Sequence, residues 1–366
     1  MKVKLEEVCE RGTSNLKQSD VIGQTGDYPI YGAAGYIGNV NFYHQENPYV
    51  AVVKDGAGIG RTTLHPAKSS VIGTMQYLLP KKNVLPEYLC YVVKYMHLEK
   101  YFTGATIPHI YYKDYKNEEF NLDSIEKQKE IIEVLGRIEA IIEGRKQVLV
   151  QLDNLIKSRF VEMFGDTVTN PLGWEEHILD EYIDFLTSGS RGWAQYFVDE
   201  ENELFITIKN VKNNHITLDN IQYIKAPDNK EAERTKVKAG DLLISITADL
   251  GRTGVVDNDI AQKGAYINQH LSLVRLDRDR INPLYVSYFL ETEGGKIQFE
   301  SKNQNGVKAG LNFDAIKSLK ILVPPLEIQE AYLEFVHQTN KLKAEIQKSL
   351  DETQTLFDSL MQEYFG

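Results

Sequence analysis

Cysteine is scarce in this sequence, with Cys9 and Cys90 as the two among 366 residues. Their spacing fits no metal site, and two cysteines are too few for a disulfide framework. Long apolar runs are also missing. The first residues, MKVKLEEVCERG, turn charged where a signal peptide would become apolar, and no stretch is long enough to span a bilayer. We therefore expect a soluble, cytoplasmic protein without a metal site.

An excess of positive charge is missing too, because the formal net charge is −11. Residues 1–165 carry 20 Lys+Arg and 20 Asp+Glu, residues 166–325 carry 18 and 24, and residues 326–366 carry 3 and 8. The three differences are therefore 0, −6 and −5. Phosphate contacts require lysine and arginine, so this balance argues against a chain that holds DNA unaided.

Recognisable catalytic motifs are absent as well. The glycine cluster DGAGIGRTT (55–63) lacks the Gly-Lys-Ser/Thr of a P-loop, and Arg61 stands where a dinucleotide fingerprint needs its third glycine. We interpret it as a tight turn rather than a nucleotide site. The eight histidines are dispersed, and His270 lies in a strand-like run where a structural role is more common than a catalytic one. NPY (47–49) lacks the second proline of the adenine methyltransferase motif N-P-P-Tyr/Phe. We predict no catalysis on this chain.

The sequence does contain two similar segments, EMFG at 162–165 and EYFG at 363–366. A shift of 201 aligns 38 positions with eight identities, which alone is compatible with accident. Other segments match in the same order: LEEVCERGTS with LDEYIDFLTS, IGRTT with LGRTG, and LPEYLCY with NPLYVSY. We conclude that the chain is a duplication whose second copy is longer, through insertions around 190–240.

Each copy combines a globular part with a long helix. The first helix is predicted near LDSIEKQKEII, with Asp123 and Glu126 as a capping box, and the second at VPPLEIQEAYL. About 40 helical residues span roughly 60 Å, more than one small core can cover. An apolar stripe near a 3.5-residue period favours an antiparallel coiled coil over two helices packed on their own domains. The predicted seam residues are Leu135, Ile138, Ile142, Leu149, Leu152, Ile156, Leu342, Ile346, Leu350, Phe357 and Leu360, with a gap at Arg145.

The order of these segments resembles the specificity (S) subunit of type I restriction-modification enzymes. The stretches that carry the resemblance are GDYPIYGAAGYIG, VVKDGAGIGR, GDLLISITADLGRTG, INQHLSLVRL and LVPPLEIQEAYL, of which the last is the most specific. The first copy keeps only the glutamine of that last motif. The resemblance implies an α+β fold with two target-recognition domains (1–122 and 166–323), a central helix (123–165) and a distal helix (324–366). The two helices would pair in an antiparallel coiled coil, with an internal pseudo-two-fold repeat.

The resemblance also implies a non-catalytic role within a DNA adenine methyltransferase and ATP-dependent endonuclease. Each recognition domain would read one half of a bipartite, asymmetric site in double-stranded DNA. The helix pair would set the spacer and dock two methyltransferase (M) subunits, with motor-nuclease (R) subunits joining for cleavage. The cofactors S-adenosylmethionine, ATP and Mg²⁺ are expected on those partners, and no membrane is involved.

Side chains with forked donors or amides are the usual base readers. Candidate DNA-binding residues are Lys54, Arg61, Tyr111, Tyr112, Arg191, Lys209, Arg252, Lys263, Gln269 and Lys308; for each the alternative is a solvated charge or a core aromatic. The rival interpretation of the whole chain is a bipartite scaffold that binds protein or glycan ligands, which explains the negative charge more simply.

Overall fold

The computed structural model of the chain describes residues 1–104, 108–303 and 310–366. These residues form two compact units. Unit 1 consists of Met1–Leu149 and Glu345–Gly366, and unit 2 of Val150–Ala344. Each unit therefore combines one globular domain with stretches of two long helices. Among the described residues, no helix is both long enough and apolar enough to cross a membrane.

The globular domain of unit 1 is a mixed fold of short strands and helices. Its strands are β1 (Lys2–Lys4), β2 (Cys9–Thr13), β3 (Tyr28–Gly32), β4 (Gly35–Val40), β5 (Tyr49–Val53), β6 (Thr62–His65), β7 (Ser70–Val71), β8 (Met75–Pro80) and β9 (Glu119–Asn121). Its helices are α1 (Leu5–Val8), α2 (Gln18–Val21), α3 (Pro86–Tyr95) and α4 (Tyr112–Tyr115), followed by the long helix α5 (Ile125–Phe164).

The globular domain of unit 2 repeats this plan with additions. Its strands are β10 (Glu176–Ile178), β11 (Ile183–Ser188), β12 (Phe197–Val198), β13 (Glu203–Ile206), β14 (Val211–Lys212), β15 (Asn214–Ile216), β16 (Gln222–Ile224), β17 (Leu242–Ser245), β18 (Thr253–Val255), β19 (Ala265–Ile267), β20 (Leu271–Leu276) and β21 (Lys320–Leu322). Its helices are α6 (Lys230–Thr235), α7 (Asn258–Lys263), α8 (Pro283–Leu290), α9 (Glu293–Lys302) and α10 (Phe313–Lys317), followed by the long helix α11 (Leu326–Phe365).

The main sheets of the two domains have the same strand order. It is β2-β8-β5-β6 in the first domain and β11-β20-β17-β18 in the second, where β15 and β14 extend the edge. Each domain also pairs its first strand with its last, β1 with β9 and β10 with β21. The smaller sheets are β4-β3-β7 and β12-β16-β13-β19. The predicted duplication is thus confirmed, and β12, β14 and β15 lie in the region where insertions were predicted.

A buried glutamine joins each domain to the long helix that follows it. Gln128 accepts a hydrogen bond from the Leu85 amide at 2.9 Å and donates to a carbonyl just before α5 at 3.0 Å. Gln329 accepts from the Asn282 amide at 3.0 Å and donates to a carbonyl just before α11 at 2.8 Å. Both glutamines are fully buried, so each satisfies backbone groups that water cannot reach. This shared role explains why glutamine is the residue that both copies retain.

The EMFG and EYFG segments close the two units in the same way. Phe164 packs edge-on against Tyr285 in unit 2, with ring centroids 4.9 Å apart. Phe365 packs edge-on against Tyr88 in unit 1, with centroids 5.4 Å apart. All four rings are buried. Each long helix therefore ends against the globular domain of the other sequence copy.

Within each unit the two long helices run antiparallel. In unit 1, Leu135 shares a hydrophobic cluster with Phe365, and Ile142 shares one with Leu350. As residue numbers rise along α5, those of its neighbours on α11 fall. In unit 2, the Lys343 ammonium pairs with Asp153, whereas Phe160 and Phe164 of α5 contact Tyr332 of α11. The predicted antiparallel pairing is confirmed.

Both helices carry a regular series of buried and half-buried residues spaced alternately four and three apart, as a coiled-coil seam requires. The series is Ile131, Leu135, Ile138, Ile142, Arg145, Leu149, Leu152, Ile156 in α5 and Tyr332, Val336, Thr339, Lys343, Ile346, Leu350, Thr353, Phe357, Leu360 in α11. All eight residues of the α5 series correspond to residues of the α11 series at the shift of 201, and Leu360 extends the second series, so the heptad phase is part of the duplication.

Two details of the helix prediction were wrong. Leu342 is 45% exposed and does not lie in the seam; the neighbouring Lys343 holds that position. The prediction chose Leu342 because its side chain is apolar. Lys343 takes the seam position instead, because its side chain has an apolar stem and its charged end reaches Asp153. At the predicted gap in the apolar series, the Arg145 guanidinium donates to the Ser349 carbonyl at 2.8 Å and to the Thr353 hydroxyl.

The second correction concerns the start of α5. The Ser124 hydroxyl, not the Asp123 carboxylate, accepts the hydrogen bond of a first-turn amide, that of Lys127 at 3.3 Å. Asp123 instead accepts from the Tyr88 hydroxyl at 2.9 Å. The capping pattern in the sequence does not reveal that Tyr88, 35 residues away, donates a hydrogen bond to the same carboxylate.

Candidate nucleic-acid interface

The glycine cluster of the first domain forms the tight turn between β5 and β6. The Val53 amide donates to the Arg61 carbonyl at 2.9 Å, and the Gly60 amide donates to the Val53 carbonyl at 2.9 Å. Gly60 has φ of +82°, and a Cβ on it would lie 2.6 Å from the Glu99 backbone nitrogen. Glycine is therefore required at this close approach.

A second segment, residues 108–111, crosses this turn. The Ile110 amide donates to the Lys54 carbonyl at 3.0 Å, and Asp55 forms an isolated antiparallel bridge with His109. The His109 Nδ1 lies 2.6 Å from the Asp55 carboxylate. Tyr111 follows, half-exposed, with its ring stacked on that of His109. We call residues 54–61 and 108–111 the first tip.

Three predicted residues lie at the first tip and one does not. Arg61 is exposed and donates to the Ala33 carbonyl at 3.0 Å. Lys54 is half-buried, with its ammonium 3.9 Å from Asp55. Tyr111 presents its ring to solvent, whereas Tyr112 packs against the hydrophobic core of the domain, and burial raises the pKa of its hydroxyl. Tyr112 is therefore a core aromatic rather than a stacking residue.

The second domain builds the same backbone arrangement between β17 and β18. The Gly251 amide donates to the Ser245 carbonyl at 3.0 Å, and the Ser245 amide donates to the Arg252 carbonyl at 2.9 Å. Thr247 forms the isolated bridge here, with Gly310, at the place that Asp55 occupies in the first tip. We call residues 246–252, 268–270 and 310–311 the second tip.

A histidine is again held at this position, though it comes from a different segment. The Thr247 hydroxyl lies 2.7 Å from His270 Nδ1, and the other ring nitrogen of His270 lies 3.0 Å from the side-chain amide of Gln269. His270 was predicted to be structural, and its contacts connect it to a predicted base reader. The sequence offered no signal for the pairing with Thr247, because 23 residues separate the two.

The other predicted residues of the second domain are distributed around it. Arg252 lies at the second tip and pairs with Asp249. Arg191 and Lys209 are both exposed; Arg191 follows the bridge between Ser190 and Asn268, and Lys209 follows the strand that runs parallel to β19. Both therefore lie toward the second tip. Lys308 is outside the described residues.

Lys263 is the exception in the second domain. It ends α7, immediately before β19, whereas the second tip follows the other end of that strand. Its ammonium lies 3.9 Å from Glu201. Lys263 is thus separated from the tip by the length of β19, and its inclusion among base readers is not supported by its position.

Comparison with known proteins gives a consistent result. The family model described as "Type I restriction modification DNA specificity domain" matches twice, at residues 1–153 and 173–353. The type I restriction enzyme EcoBI specificity subunit of Escherichia coli is 19% identical over 71% of this chain and 59% of its own length. The MjaX specificity subunit of Methanocaldococcus jannaschii is 23% identical over 81% of this chain and 70% of its own length. The alignment with the EcoBI subunit thus spans about three fifths of that relative.

Solved structures share the fold across the whole chain. The crystal structure of a type I restriction-modification S subunit from M. genitalium aligns with a TM-score of 0.64 at 13% identity, covering 100% of this chain and 96% of that one. A chain from a structure of complex assembly in the type I R-M system aligns with a TM-score of 0.53 at 17% identity, covering 100% and 97%. At such identities the likeness concerns the fold.

Proposed function

The chain belongs to the family of type I restriction-modification DNA specificity domains, and on that premise we propose that it selects the DNA sequence for a type I complex. Each globular domain reads one half of a bipartite site. One observation carries this proposal: the two tips share their backbone hydrogen bonds but present different side chains. A common scaffold with exchanged surface groups is what two readers of different half-sequences need. A protein or glycan scaffold has no support from the relatives.

We propose that the chemistry belongs to partner subunits and that the chain itself acts in the cytoplasm as a non-catalytic selector. S-adenosylmethionine would be held by methyltransferase subunits, and ATP with Mg²⁺ by motor-nuclease subunits. The net charge of −11 fits this division, because partners would supply much of the phosphate clamp. Isolated chain should therefore bind DNA weakly, and a nanomolar complex at physiological salt without partners would contradict the proposal.

The helix pair offers a face for those partners. Next to the seam, one flank of α5 carries Glu139, Lys146 and Asp153, as an ordinary coiled coil does. The opposite flank carries exposed apolar residues, at intervals of seven in α5 and of fourteen in α11, where Ser349 takes the position between them. These are Val134 (38% exposed), Ile141 (48%), Val148 (38%) and Leu155 (47%) in α5, and Leu342 (45%) and Leu356 (51%) in α11. Apolar residues at this flank in addition to the seam are typical of helices in larger bundles.

The apolar flank occurs once in each unit. Unit 1 contributes Val134, Ile141 and Val148 with Leu356, and unit 2 contributes Leu155 with Leu342. Ile141 corresponds to Leu342 and Leu155 to Leu356 at the shift of 201. In an antiparallel pair, equivalent flanking positions of both helices line the same side of the seam. We propose that each patch binds an apolar helical face of one methyltransferase subunit, which accounts for two copies of that partner.

Partner docking can be tested by co-purification with the methyltransferase subunit. Ile141→Lys should remove one of two bound copies and Leu342→Lys the other, because each charge is buried on association. Lys146→Glu, on the polar flank, serves as the control and should leave both copies bound. A full complement of partners on the double variant would contradict this assignment.

We further propose that the helix pair sets the gap between the half-sites. Readers that meet the same side of a duplex require half-sites about one helical turn, roughly 34–36 Å, apart. Inserting one heptad into α5 and α11 at positions related by the shift of 201 preserves the seam and should lengthen the recognised gap. An unchanged gap would count against this role.

The deciding experiment is base-resolved adenine methylation in cells that carry the methyltransferase subunit, with and without this gene. We expect a split motif, two short sequences at a fixed distance, methylated only when the gene is present. No gene-dependent motif, with the methyltransferase shown to be active with another specificity subunit, would refute the proposed function.

A further inference from the structure

The two tips differ in side chains at one structurally equivalent position. Asp55 and Thr247 each form the isolated bridge that ties the turn to the crossing segment, and each contacts a histidine ring nitrogen. The backbone partners around them correspond, since the Ile110 amide donates to Lys54 and the Leu311 amide donates to Ile246. The backbone hydrogen bonds are kept while the side chains differ, so the folding of the tip does not require a particular side chain here, and the side chains can serve recognition.

At the first tip the ring of His109 has a fixed orientation. A carboxylate only accepts hydrogen bonds, so the nitrogen 2.6 Å from Asp55 carries the proton. The ring stacks on Tyr111, whose own face lies 5.4 Å from the Lys113 ammonium. His109 is 38% exposed at its side chain, and Tyr111 is 51% exposed. The second ring nitrogen, Nε2, has no protein partner within the part of the chain that the structure describes.

In the neutral imidazole, a proton on Nδ1 leaves Nε2 as a hydrogen-bond acceptor. In the major groove, donors are offered by the N4 amino group of cytosine and the N6 amino group of adenine. The orienting carboxylate thus selects which class of base edge the ring can contact. An unoriented ring would present either nitrogen and lose this discrimination.

At the second tip the same kind of arrangement ends in a different group. The Thr247 hydroxyl accepts from His270 Nδ1, and the Gln269 amide nitrogen donates to His270 Nε2. Both nitrogens of the His270 ring therefore have protein partners, whereas the amide oxygen of Gln269 has no hydrogen-bond partner among the residues that the structure describes. Glutamine is a common reader of adenine.

We propose, on the basis of the proposed function, that His109 oriented by Asp55 contacts a base in one half-site, and that Gln269 oriented through Thr247 and His270 contacts a base in the other. Asp55, Thr247 and His270 are positioning residues. The competing explanation is that the His109–Asp55 pair only clips two loop segments together. A clip affects how well the tip folds, whereas a reader affects which base pair is accepted.

Base-resolved methylation with variants of the chain separates these two roles. With His109→Gln, preference for the native base pair at one position of one half-site should fall about tenfold, within the range for a lost base contact. Asp55→Asn keeps an acceptor for the ring and should retain the preference, while Asp55→Ala should relax it at the same position. Thr247→Val removes the hydroxyl at similar volume and should relax one position in the other half-site. The gap should not change.

His177→Gln is the matched control, because His177 also pairs with a carboxylate, that of Glu181 at 2.9 Å, but lies beside β21. It should leave both half-sites unchanged. A uniform loss of methylation in His109→Gln without altered base preference would overturn the proposal in favour of a clip, and so would an unaltered motif. If wild-type chain directs no split motif, the proposed function itself fails and the inference with it.

Discussion

Unit 1 and unit 2 agree where the domain meets its helices and differ where it meets solvent. Gln128 and Gln329 make the same hydrogen bonds, and Phe365 and Phe164 pack on equivalent tyrosines. At the tips, by contrast, a carboxylate has been exchanged for a hydroxyl and a histidine has been recruited from another segment. The buried junction cannot change without leaving unsatisfied polar groups or cavities, whereas a tip side chain costs little to replace.

The duplication therefore conserves the junction of each domain with the long helices, which we call the socket, rather than the exposed surface. In each unit the socket consists of the glutamine, the tyrosine that receives the terminal phenylalanine, and the first and last strands of the domain. Equivalent substitutions in the two sockets should therefore have equal effects on stability. Substitutions at equivalent tip positions should affect different properties of recognition.

The largest effect is expected for the phenylalanines that close the units. Phe164→Ala and Phe365→Ala should each reduce the free energy of unfolding of their unit by about 3–5 kcal/mol, because both rings are buried and leave a cavity. Urea unfolding followed by amide hydrogen exchange assigns each loss to a unit. Losses that differ by more than about 2 kcal/mol would show that the sockets are not energetically equivalent.

A charge in the seam should come next. Leu350 is 8% exposed, and Leu350→Lys should lower the free energy of unfolding by about 2–3 kcal/mol through lost packing and desolvation of the ammonium. Leu342→Lys is the control on the same helix and should change stability by less than about 0.5 kcal/mol, since that side chain is 45% exposed. Equal losses in thermal unfolding would contradict the heptad phase given above.

Acid should weaken unit 1 through His65. Burial lowers the pKa of this imidazole to about 4, below the ordinary value of 6.5. The folded state disfavours the charged ring. The stability that the neutral ring contributes is therefore fully present above pH 6.5 and is lost as the pH falls toward 4. We expect a loss of about 2 kcal/mol between pH 7 and pH 5. His65→Phe should abolish this increment while keeping the stack on Tyr49, and an identical pH profile for both chains would disprove it.

The corresponding place in the second copy, three residues after Thr253, is Val256, which is buried and does not titrate. His65→Val therefore gives unit 1 the residue of unit 2. It should remove the same pH-dependent increment of stability, and this tests whether the exchange of histidine for valine accounts for acid sensitivity at this position.

The smallest effect is expected for the glutamines. Gln128→Leu and Gln329→Leu should each cost about 1–2 kcal/mol, because a backbone amide and a carbonyl lose their partner in a buried place. Chemical unfolding of the two variants, measured side by side, provides the comparison. A neutral substitution in either copy would mean that the retained glutamine serves another purpose.

The duplication, the long antiparallel helices and the family were accessible from sequence because each rests on periodicity or ordered segments. Leu342 shows where that reasoning ends. Its apolar side chain fits the stripe, yet the seam position belongs to Lys343, whose charge reaches Asp153. Periodicity gives the period of a seam but fixes its phase only where the apolar residues are unambiguous.

The tips were less predictable, because their defining contacts join residues far apart in the chain. His109 and Asp55 are separated by 54 residues, and His270 and Thr247 by 23. Arginine and lysine were chosen as candidates because their side chains can donate to base edges. This choice included Arg61 and Arg252, which lie in the turns, but also Lys263, which lies at the other end of β19. Tyr112 was selected as an aromatic that could stack on DNA or touch its backbone, and it packs against the hydrophobic core instead.

The closing contact of unit 1 has a consequence for synthesis on the ribosome. Tyr95 donates to Gln362 across 267 residues, and Tyr88 receives Phe365 in the same unit. At about 5–20 residues per second, residues 345–366 emerge roughly 10–40 s after residue 149. Throughout that interval the domain translated first lacks the end of α11 that completes it, whereas all of unit 2, residues 150–344, has been made before residues 345–366 emerge. The half of the protein that is made first is thus the half that is completed last.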